Sequence, residues 1–344
     1  MLDPEKQLFC HRLNRTPQGL VREGLSHRYT AMSLLGLHRL EAAGRQSLPI
    51  DPRIVFDALL ADLVWVDNIG DLGLLLWLCA VTRPERLQEI YSYLDVKGAL
   101  ARFLGVRKGV TMDLAWFLSG LAHAALAGGD KLPDLSALSA KTFSLLTANQ
   151  GKHGTFGHLA RRASAMGALR GRIGSFADQV YPIYALAKFA EAFQNRAALE
   201  HARRCAEAIC RAQGSLGQWW WHYDAVTGKV FQRYPVYAVH QHGMAPLALF
   251  ALGDAARLDF SSSIYKGLEW IYGNNELALD LRDASSNLVW RSVYRRNAVR
   301  THVKEFADFL GGSPSPIQAD ALEIKRECRP YELGWLLYAF AGRY

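Results

Sequence analysis

The sequence predicts an all-α fold, a single closed toroid of paired helices of the (α/α)6 barrel type, with near-zero strand content. Three observations carry that expectation. Helical windows follow one another, bounded by Gly, Pro and Asn, while strand-like alternation is nearly absent. Windows apolar all round alternate with windows apolar on one face, and the former must be buried. Several of the apolar windows also open on one pattern: an acid, a small or aliphatic spacer, then a continuous apolar run.

Asp71-Leu72-Gly73-Leu74 through Ala80 is matched by Glu332-Leu333-Gly334-Trp335 through Ala341. Asp113 to Ala122 and Asp178 to Ala187 follow the same plan. His242 to Leu249 puts a histidine in the acid's place, and a more degraded version starts near His27 and runs through Leu40. Between these inner helices lie the amphipathic windows Pro52 to Trp65, Pro84 to Leu104, Asp134 to Asn149, Ala197 to Ala212 and Ser261 to Tyr272. A second repeat marks the links. Gln150-Gly151-Lys152-His153-Gly154-Thr155-Phe156 and Gln213-Gly214-Ser215-Leu216-Gly217-Gln218-Trp219 share Gln-Gly-x-x-Gly-x-aromatic, each after an outer helix. Repeats of this length mean stacked supersecondary units. Five or six such units close into a ring that needs no further core, with one central, aromatic-lined cavity.

One domain, 1–344, is expected, because no Pro-, Ser- or Gly-rich tract marks a boundary. Half of the residues are hydrophobic and 21% are charged, the balance of a globular protein. The longest apolar stretch, Leu72 to Val81, is about half of what a bilayer crossing requires. The first residues, Met1-Leu2-Asp3-Pro4-Glu5-Lys6, put acids where a signal peptide has its basic region, so a soluble, cytoplasmic protein without a membrane span is expected. The cysteines Cys10, Cys79, Cys205, Cys210 and Cys328 are odd in number, form no Cys-x-x-Cys pair and sit mostly in apolar helical patterns, which predicts reduced core thiols. The net charge of +8 is spread out, densest only at Arg161-Arg162, Arg203-Arg204 and Arg295-Arg296. Without helix-turn-helix, zinc-ligand or aromatic-basic strand signatures it does not favour nucleic acid as a partner, and a negatively charged sugar or lipid phosphate would exploit the same excess.

On these units and links the chain resembles the six-hairpin toroids: glycosidases, polysaccharide lyases and unsaturated-uronyl hydrolases on one side, terpene cyclases and protein prenyltransferases on the other. Gln213 to Trp219 looks like the Gln-Gly-Trp links of terpene cyclases. Trp219-Trp220-Trp221-His222-Tyr223-Asp224-Ala225-Val226-Thr227-Gly228 looks more like the aromatic, Asp-x-x-Thr-Gly loop of cytoplasmic uronyl hydrolases. The stretch to Ala245 is similar to proteins associated with bacterial exopolysaccharide biosynthesis.

Equivalent inner-helix starts in a ring open on one end, so Asp71, Asp113, Asp178, His242 and Glu332 are expected around one mouth. Glycosidic cleavage needs one carboxyl to protonate the leaving oxygen and another to activate water or attack carbon, roughly 5 to 9 Å apart. The same acids also suit helix caps, and a helix amino terminus stabilises carboxylate, which suits a base better than an acid. Asp178, followed by Tyr181 and Tyr184, is the first candidate for a shielded general acid, and Asp113, beside Trp116, the second. Three consecutive tryptophans cannot all face one core. Trp219, Trp220 and Trp221, with His222, Tyr234 and Tyr237, are therefore expected to form a polar-aromatic wall on which a sugar stacks, or else to cover the barrel end. His240 and His242 flank Gln241 without a third ligand at recognisable spacing, so no metal is expected, and the pair is assigned to substrate hydrogen bonds or to a base. The long loop Asn274 to Asn297 lies over the same mouth if the repeat phase holds, where Arg291 or Arg295 would hold a carboxylate or phosphate by a bidentate contact.

These features favour a cytoplasmic carbohydrate-active enzyme of polysaccharide metabolism, a hydrolase or lyase. It would cleave or modify an oligosaccharide, acidic ones included, by carboxylate acid/base chemistry without a cofactor. The alternative chemistry is that of an isoprenoid cyclase or prenyltransferase-like enzyme, which an aromatic-lined toroid also suits. Against it, the Asp-x-Asp-Asp motif of class II cyclases is absent, Asp280-Leu281-Arg282-Asp283 is a loose Asp-x-x-Asp, and neither the prenyltransferase nor the lanthionine-cyclase zinc ligands are recognisable. A third reading is a non-catalytic glycan-binding or scaffold component of an exopolysaccharide system, since fold does not fix function.

Overall fold

The computed structural model describes residues 1–44, 48, 50–106, 110–129, 132–159, 171–296 and 319–343. Among them are twelve α-helices: α1 His27–Ala42, α2 Pro52–Ala61, α3 Ile69–Thr82, α4 Leu87–Tyr93, α5 Val96–Val106, α6 Thr111–Leu126, α7 Leu135–Thr147, α8 Ala177–Phe193, α9 Arg196–Arg211, α10 Ala245–Ala256, α11 Ser261–Ile271 and α12 Pro330–Phe340. Helices α1, α3, α6, α8, α10 and α12 form the inner ring. Each packs on the next in that order and α12 packs back on α1, so the ring is closed. The expected outer helix from Pro84 to Leu104 is broken instead into a 3-10 turn, α4 and α5. The break falls at Asp95, whose φ of +44° is left-handed.

Two glycine seams explain the acid-x-Gly form of the inner repeats. A Cβ on Gly73 would lie 2.3 Å from Phe117 Cα, and one on Gly120 2.3 Å from the Gly73 carbonyl oxygen. A Cβ on Gly36 would lie 2.1 Å from the Gly334 carbonyl oxygen. Only hydrogen fits where α3 meets α6 and α1 meets α12.

The Gln-Gly links do a common job. Gln150 Nε2 donates to the carbonyls of Gly154 (2.8 Å) and of His201 on α9 (2.9 Å), and Gln213 Nε2 donates to those of Gly217 (3.0 Å) and of Ser263 on α11 (2.9 Å). Gly154 and Gly217 have φ of +99° and +94°, and a Cβ on either would strike a carbonyl of the same outer helix. The closing aromatics, Phe156 and Trp219, are fully buried. Each link thus pins its loop to the next outer helix.

Aromatic side chains from helices that are not neighbours around the ring meet across its lumen. Trp77 of α3 stacks on Tyr184 of α8 (4.7 Å between centroids) and on Trp335 of α12 (5.5 Å). Trp335 Nε1 donates to Tyr181 Oη (3.0 Å). Where a central cavity was expected to be lined by aromatics, at this level they stack on one another.

The expectation of near-zero strand content does not hold. Among the described residues there are twelve short strands: β1 Leu2–Asp3, β2 Leu8–Thr16, β3 Gly19–Leu25, β4 Ile173–Ser175, β5 His222–Asp224, β6 Val230–Gln232, β7 Val236–Tyr237, β8 Arg282–Asp283, β9 Leu288–Val289, β10 Ser292–Arg295, β11 Leu322–Lys325 and β12 Glu327–Cys328. All pairing is antiparallel. Most are too short to leave a two-residue period in the sequence. In β2 the buried positions Leu8, Cys10 and Leu13 break phase. Cys10 and Cys328 accordingly sit in strands, not helices; all five thiols are free. Strands β3, β4, β7 and β12 lead directly toward α1, α8, α10 and α12, so the sheets gather at the end of the ring where inner helices begin. No helix among the described residues is long and apolar enough to cross a membrane.

Candidate active site at the mouth of the helical ring

The acids of the inner repeats lie inside the first helical turn. Asp71, Asp113 and Glu332 are third residues of their helices and Asp178 is a second residue, where the helix dipole favours a carboxylate. Their partners differ. Arg28 of α1 donates from Nε and Nη2 to both oxygens of Asp71 (2.6 and 2.7 Å), and Asn68, which caps α3, adds a third bond (2.7 Å). Burial raises the Asp71 pKa and Arg28 opposes it. Both Asp71 oxygens are occupied, which gives it a holding role. The same guanidinium lies over the Trp116 ring (5.7 Å), and the Arg28 side chain as a whole is 37% exposed. Asp113 is buried against α3, with Oδ1 3.2 Å from where a Gly70 Cβ would stand.

Asp178 sits at the junction of α8 with the tryptophan loop. Its Oδ2 accepts from Ser175 N (2.8 Å) and Ser175 Oγ (2.9 Å), and His158 Nδ1 lies 3.2 Å away. Its Oδ1 is buried and meets no hydrogen-bond donor among the described residues. Strand β4 pairs with β5, bringing Ser175 opposite His222. Trp221 is half-buried, stacked on His222 (4.4 Å) and edge-on to Tyr237 (5.9 Å). His222 Nδ1 is 2.8 Å from Gln232 Oε1.

On the far side, Glu332 pairs with Arg291, and its Oε2 accepts from Arg329 N (3.2 Å). Burial pushes the Glu332 carboxyl up to about 7, against the pull of Arg291. Arg291 and Arg329 also converge on buried Glu327, and Arg329 Nη1 donates to Tyr29 Oη (2.7 Å). Arg291 lies over Tyr237 (5.0 Å), and Tyr237 packs on His240 (5.1 Å). His240 and His242 occupy one π-helical turn, His240–Met244, leading into α10. Burial pushes their imidazoles down to about 3 and about 4, so both are neutral. Such turns are frequent at functional sites.

Several expected wall residues are structural. Trp219 is fully buried against Phe176 (5.7 Å). Trp220 is nearly so, and its Nε1 donates to the Ala212 carbonyl (2.8 Å). Tyr184 lies deep in the lumen, bonded to His123 and Tyr338. Tyr234 is buried and donates to Glu276. Tyr181 is held by Trp335 below the mouth. These rings have no face left for a sugar, which leaves Trp221, His222 and Tyr237. The long loop expected from Asn274 to Asn297 holds the β8–β9 hairpin and β10. Asn297, like Arg161-Arg162, lies outside the described residues. Asp280 and Asp283 are engaged by Arg282 and Arg15 at the surface.

Arg28, His158, Arg329 and Tyr29 join the mouth without having been singled out. Arg28 and Tyr29 follow His27, where the degraded sixth repeat begins, and Arg329 precedes the Glu332 repeat; phase alone marks them. His158 carries no such signal.

No family model matches the chain, and no curated protein matches it significantly. Solved structures do resemble it. An unsaturated glucuronyl hydrolase from Bacillus sp. GL1 matches with a TM-score of 0.60 at 15% identity, over 97% of this chain and 90% of that one. Cellobiose 2-epimerase from Bacillus thermoamylovorans B4167 matches with a TM-score of 0.62 at 10% identity, over 100% and 94%. A possible member of the GH105 family from Salmonella enterica gives 0.59 at 12% identity, over 99% and 88%. The chain has the (α/α)6 toroid fold that its repeats predict.

Proposed function

We propose that this protein is carbohydrate-active, an enzyme that cleaves or modifies an oligosaccharide at the mouth of the ring by acid/base chemistry. Asp178 and Asp113 are the carboxylates of that chemistry, and Trp221 with His222 and Tyr237 is the stacking surface. The observation that carries this reading is Asp178, a buried carboxyl two residues after the Phe176 N–H that bonds the carbonyl of half-buried Trp221, with one oxygen anchored and the other unpartnered among the described residues. Buried polar atoms left unpaired are rare and call for a ligand or a role. Proteins of the same fold named as hydrolases of unsaturated glucuronyl groups and as a cellobiose epimerase support a sugar substrate. The partly exposed Arg28 supports an acidic one. Free cysteines support a reducing, cytoplasmic setting.

The isoprenoid alternative loses ground to the Trp77, Tyr184 and Trp335 stack, which occupies the lumen where a long apolar chain would lie. A glycan array followed by mass spectrometry of the bound species tests the proposal. A bound glycan returned with altered mass or connectivity supports an enzyme. Binding without change supports the glycan-binding scaffold instead, and no binding removes sugars altogether.

A further inference from the structure

Resting on the reading above, in which a sugar is bound at this mouth, we propose that Trp65 and His27 form a second sugar platform on the rim opposite Trp221 and His222, so that the substrate is an oligosaccharide long enough to span the mouth. Among the described residues three Trp–His pairs stack. Trp77 and His123 (5.0 Å) are buried inside the ring. In the other two, Trp221 with His222 (4.4 Å) and Trp65 with His27 (6.1 Å, 12° between planes), all four residues are half-buried. Trp65 lies in the α2–α3 connection and His27 is the first residue of α1, which puts the pair over the seam between α1 and α3, at the end where inner helices begin. The Trp221 carbonyl accepts from Phe176 N next to α8, and its ring meets Tyr237, just ahead of the π turn into α10. In the ring order α1, α3, α6, α8, α10, α12 the two seams stand half a circuit apart. Asp71, Asp113 and Asp178 start the helices on the arc between them.

The second platform is preformed. Trp65 Nε1 donates to the Leu59 carbonyl (3.1 Å), which holds the ring against the last turns of α2. Val64 beside it is 85% exposed, so this connection carries apolar surface into solvent at the rim. A sugar lays its C–H face on such a surface and needs partners for the hydroxyls at its edge. Exposed Asp67, two residues on, supplies a carboxylate that accepts from them, and Asn68 Nδ2 ties it (2.6 Å) to Asp71 (2.7 Å). Packed helices lie about 8–10 Å apart, so opposite members of a ring of six are about 16–20 Å apart. Several linked sugars are needed to cover that distance, whereas a short glycan settles on one platform.

The test titrates the full chain with two length series, each from disaccharide to hexasaccharide: cello-oligosaccharides, and the glycan the array returns bound. Wild type should bind the longest member of the series it recognises roughly 5-fold or more tighter than the disaccharide. Trp65→Ala should abolish that gain while leaving disaccharide affinity unchanged, and Trp65→Phe, which keeps a stacking ring, should restore most of it. A readout on the wild type avoids any loss of folding in the alanine variant: the Trp65 indole N–H resonance, assigned by its disappearance in Trp65→Phe, should shift with hexasaccharide and stay in place with disaccharide. Disaccharide binding with no gain from length overturns the second platform and leaves a sugar site at Trp221. An equal loss at every length in Trp65→Ala, or an indole N–H unmoved by the hexasaccharide, overturns it as well. No binding of any member of either series by the wild type overturns the sugar reading of the mouth, and the second platform with it.

Discussion

The backbone N–H of Phe176 donates to the carbonyl of Trp221 at 2.7 Å. This bond ties the tryptophan loop to the start of α8, two residues before Asp178, and sorts the three tryptophans. Trp219 packs beneath Phe176, Trp220 turns to the outer helix end at Ala212, and Trp221 is left half-buried.

The three should therefore respond differently to truncation. Trp220→Ala removes a buried ring and its bond to Ala212 and should cost about 3–5 kcal/mol of stability, read as a lower denaturant midpoint. Trp221→Ala should leave that midpoint nearly unchanged and weaken glycan binding by roughly 5-fold, on the order of 1 kcal/mol. Equal binding by Trp221→Ala and wild type in a titration would reduce that ring to loop covering.

The glycine seams give a prediction about the ring itself. Gly73→Ala must push α6 away from α3, since its Cβ would meet the Phe117 and Trp116 backbone at 2.3 and 2.4 Å. Overpacking of this kind costs about 1–3 kcal/mol or more. Gly128 has a φ of +84°, but a Cβ there would meet nothing within 4 Å, so Gly128→Ala should cost only about 1 kcal/mol. Urea unfolding of the two variants compares contact with backbone strain; equal midpoints would show that the seam is not tight.

The links predict a local effect. Gln213→Ala leaves the Gly217 and Ser263 carbonyls without the Nε2 donor, at about 1–3 kcal/mol for each buried group left unpaired. Hydrogen exchange should quicken in 213–219 and at the start of α11, with α6 unaffected. Uniformly faster exchange would mean the link holds the whole ring and not one loop.

These cases show what the sequence makes legible. The acid-x-Gly starts and the Gln-Gly links repeat because each copy meets the same neighbour, an adjacent helix, so their pattern survives in one dimension. The mouth depends on pairings that occur once: Arg28 with Asp71, His158 with Asp178, Arg291 with Glu332. Nothing repeats, so no period exposes them. The choice of Trp221 over Trp219 is made by β4 pairing with β5, strands of three residues each, below the length at which alternation is readable.

The buried histidines of the π turn set the acid side of stability. Burial holds His240 at about 3 and His242 at about 4 in the folded protein, whereas an unfolded histidine titrates near 6.5. Between pH 6.5 and those values the unfolded chain binds the extra protons, so stability falls as pH falls, by up to ~1.4 kcal/mol per pH unit for each group. Glu332 acts oppositely. Its folded pKa of about 7 lies above the unfolded 4.5, so the folded protein binds the extra proton, and this contribution is present below pH 4.5 and lost as pH rises through 7. His11, His38, His123 and His201 are also shifted down by burial, so the whole protein should be less stable at pH 5 than at pH 7. Two neutral variants isolate the terms. His242→Gln should flatten the fall between pH 7 and pH 5 by about 2 kcal/mol, and Glu332→Gln should steepen it, both measured as unfolding free energies by urea titration. A His242→Gln curve parallel to wild type would mean that this imidazole is protonated in the folded state, and the neutral, buried π turn would be wrong.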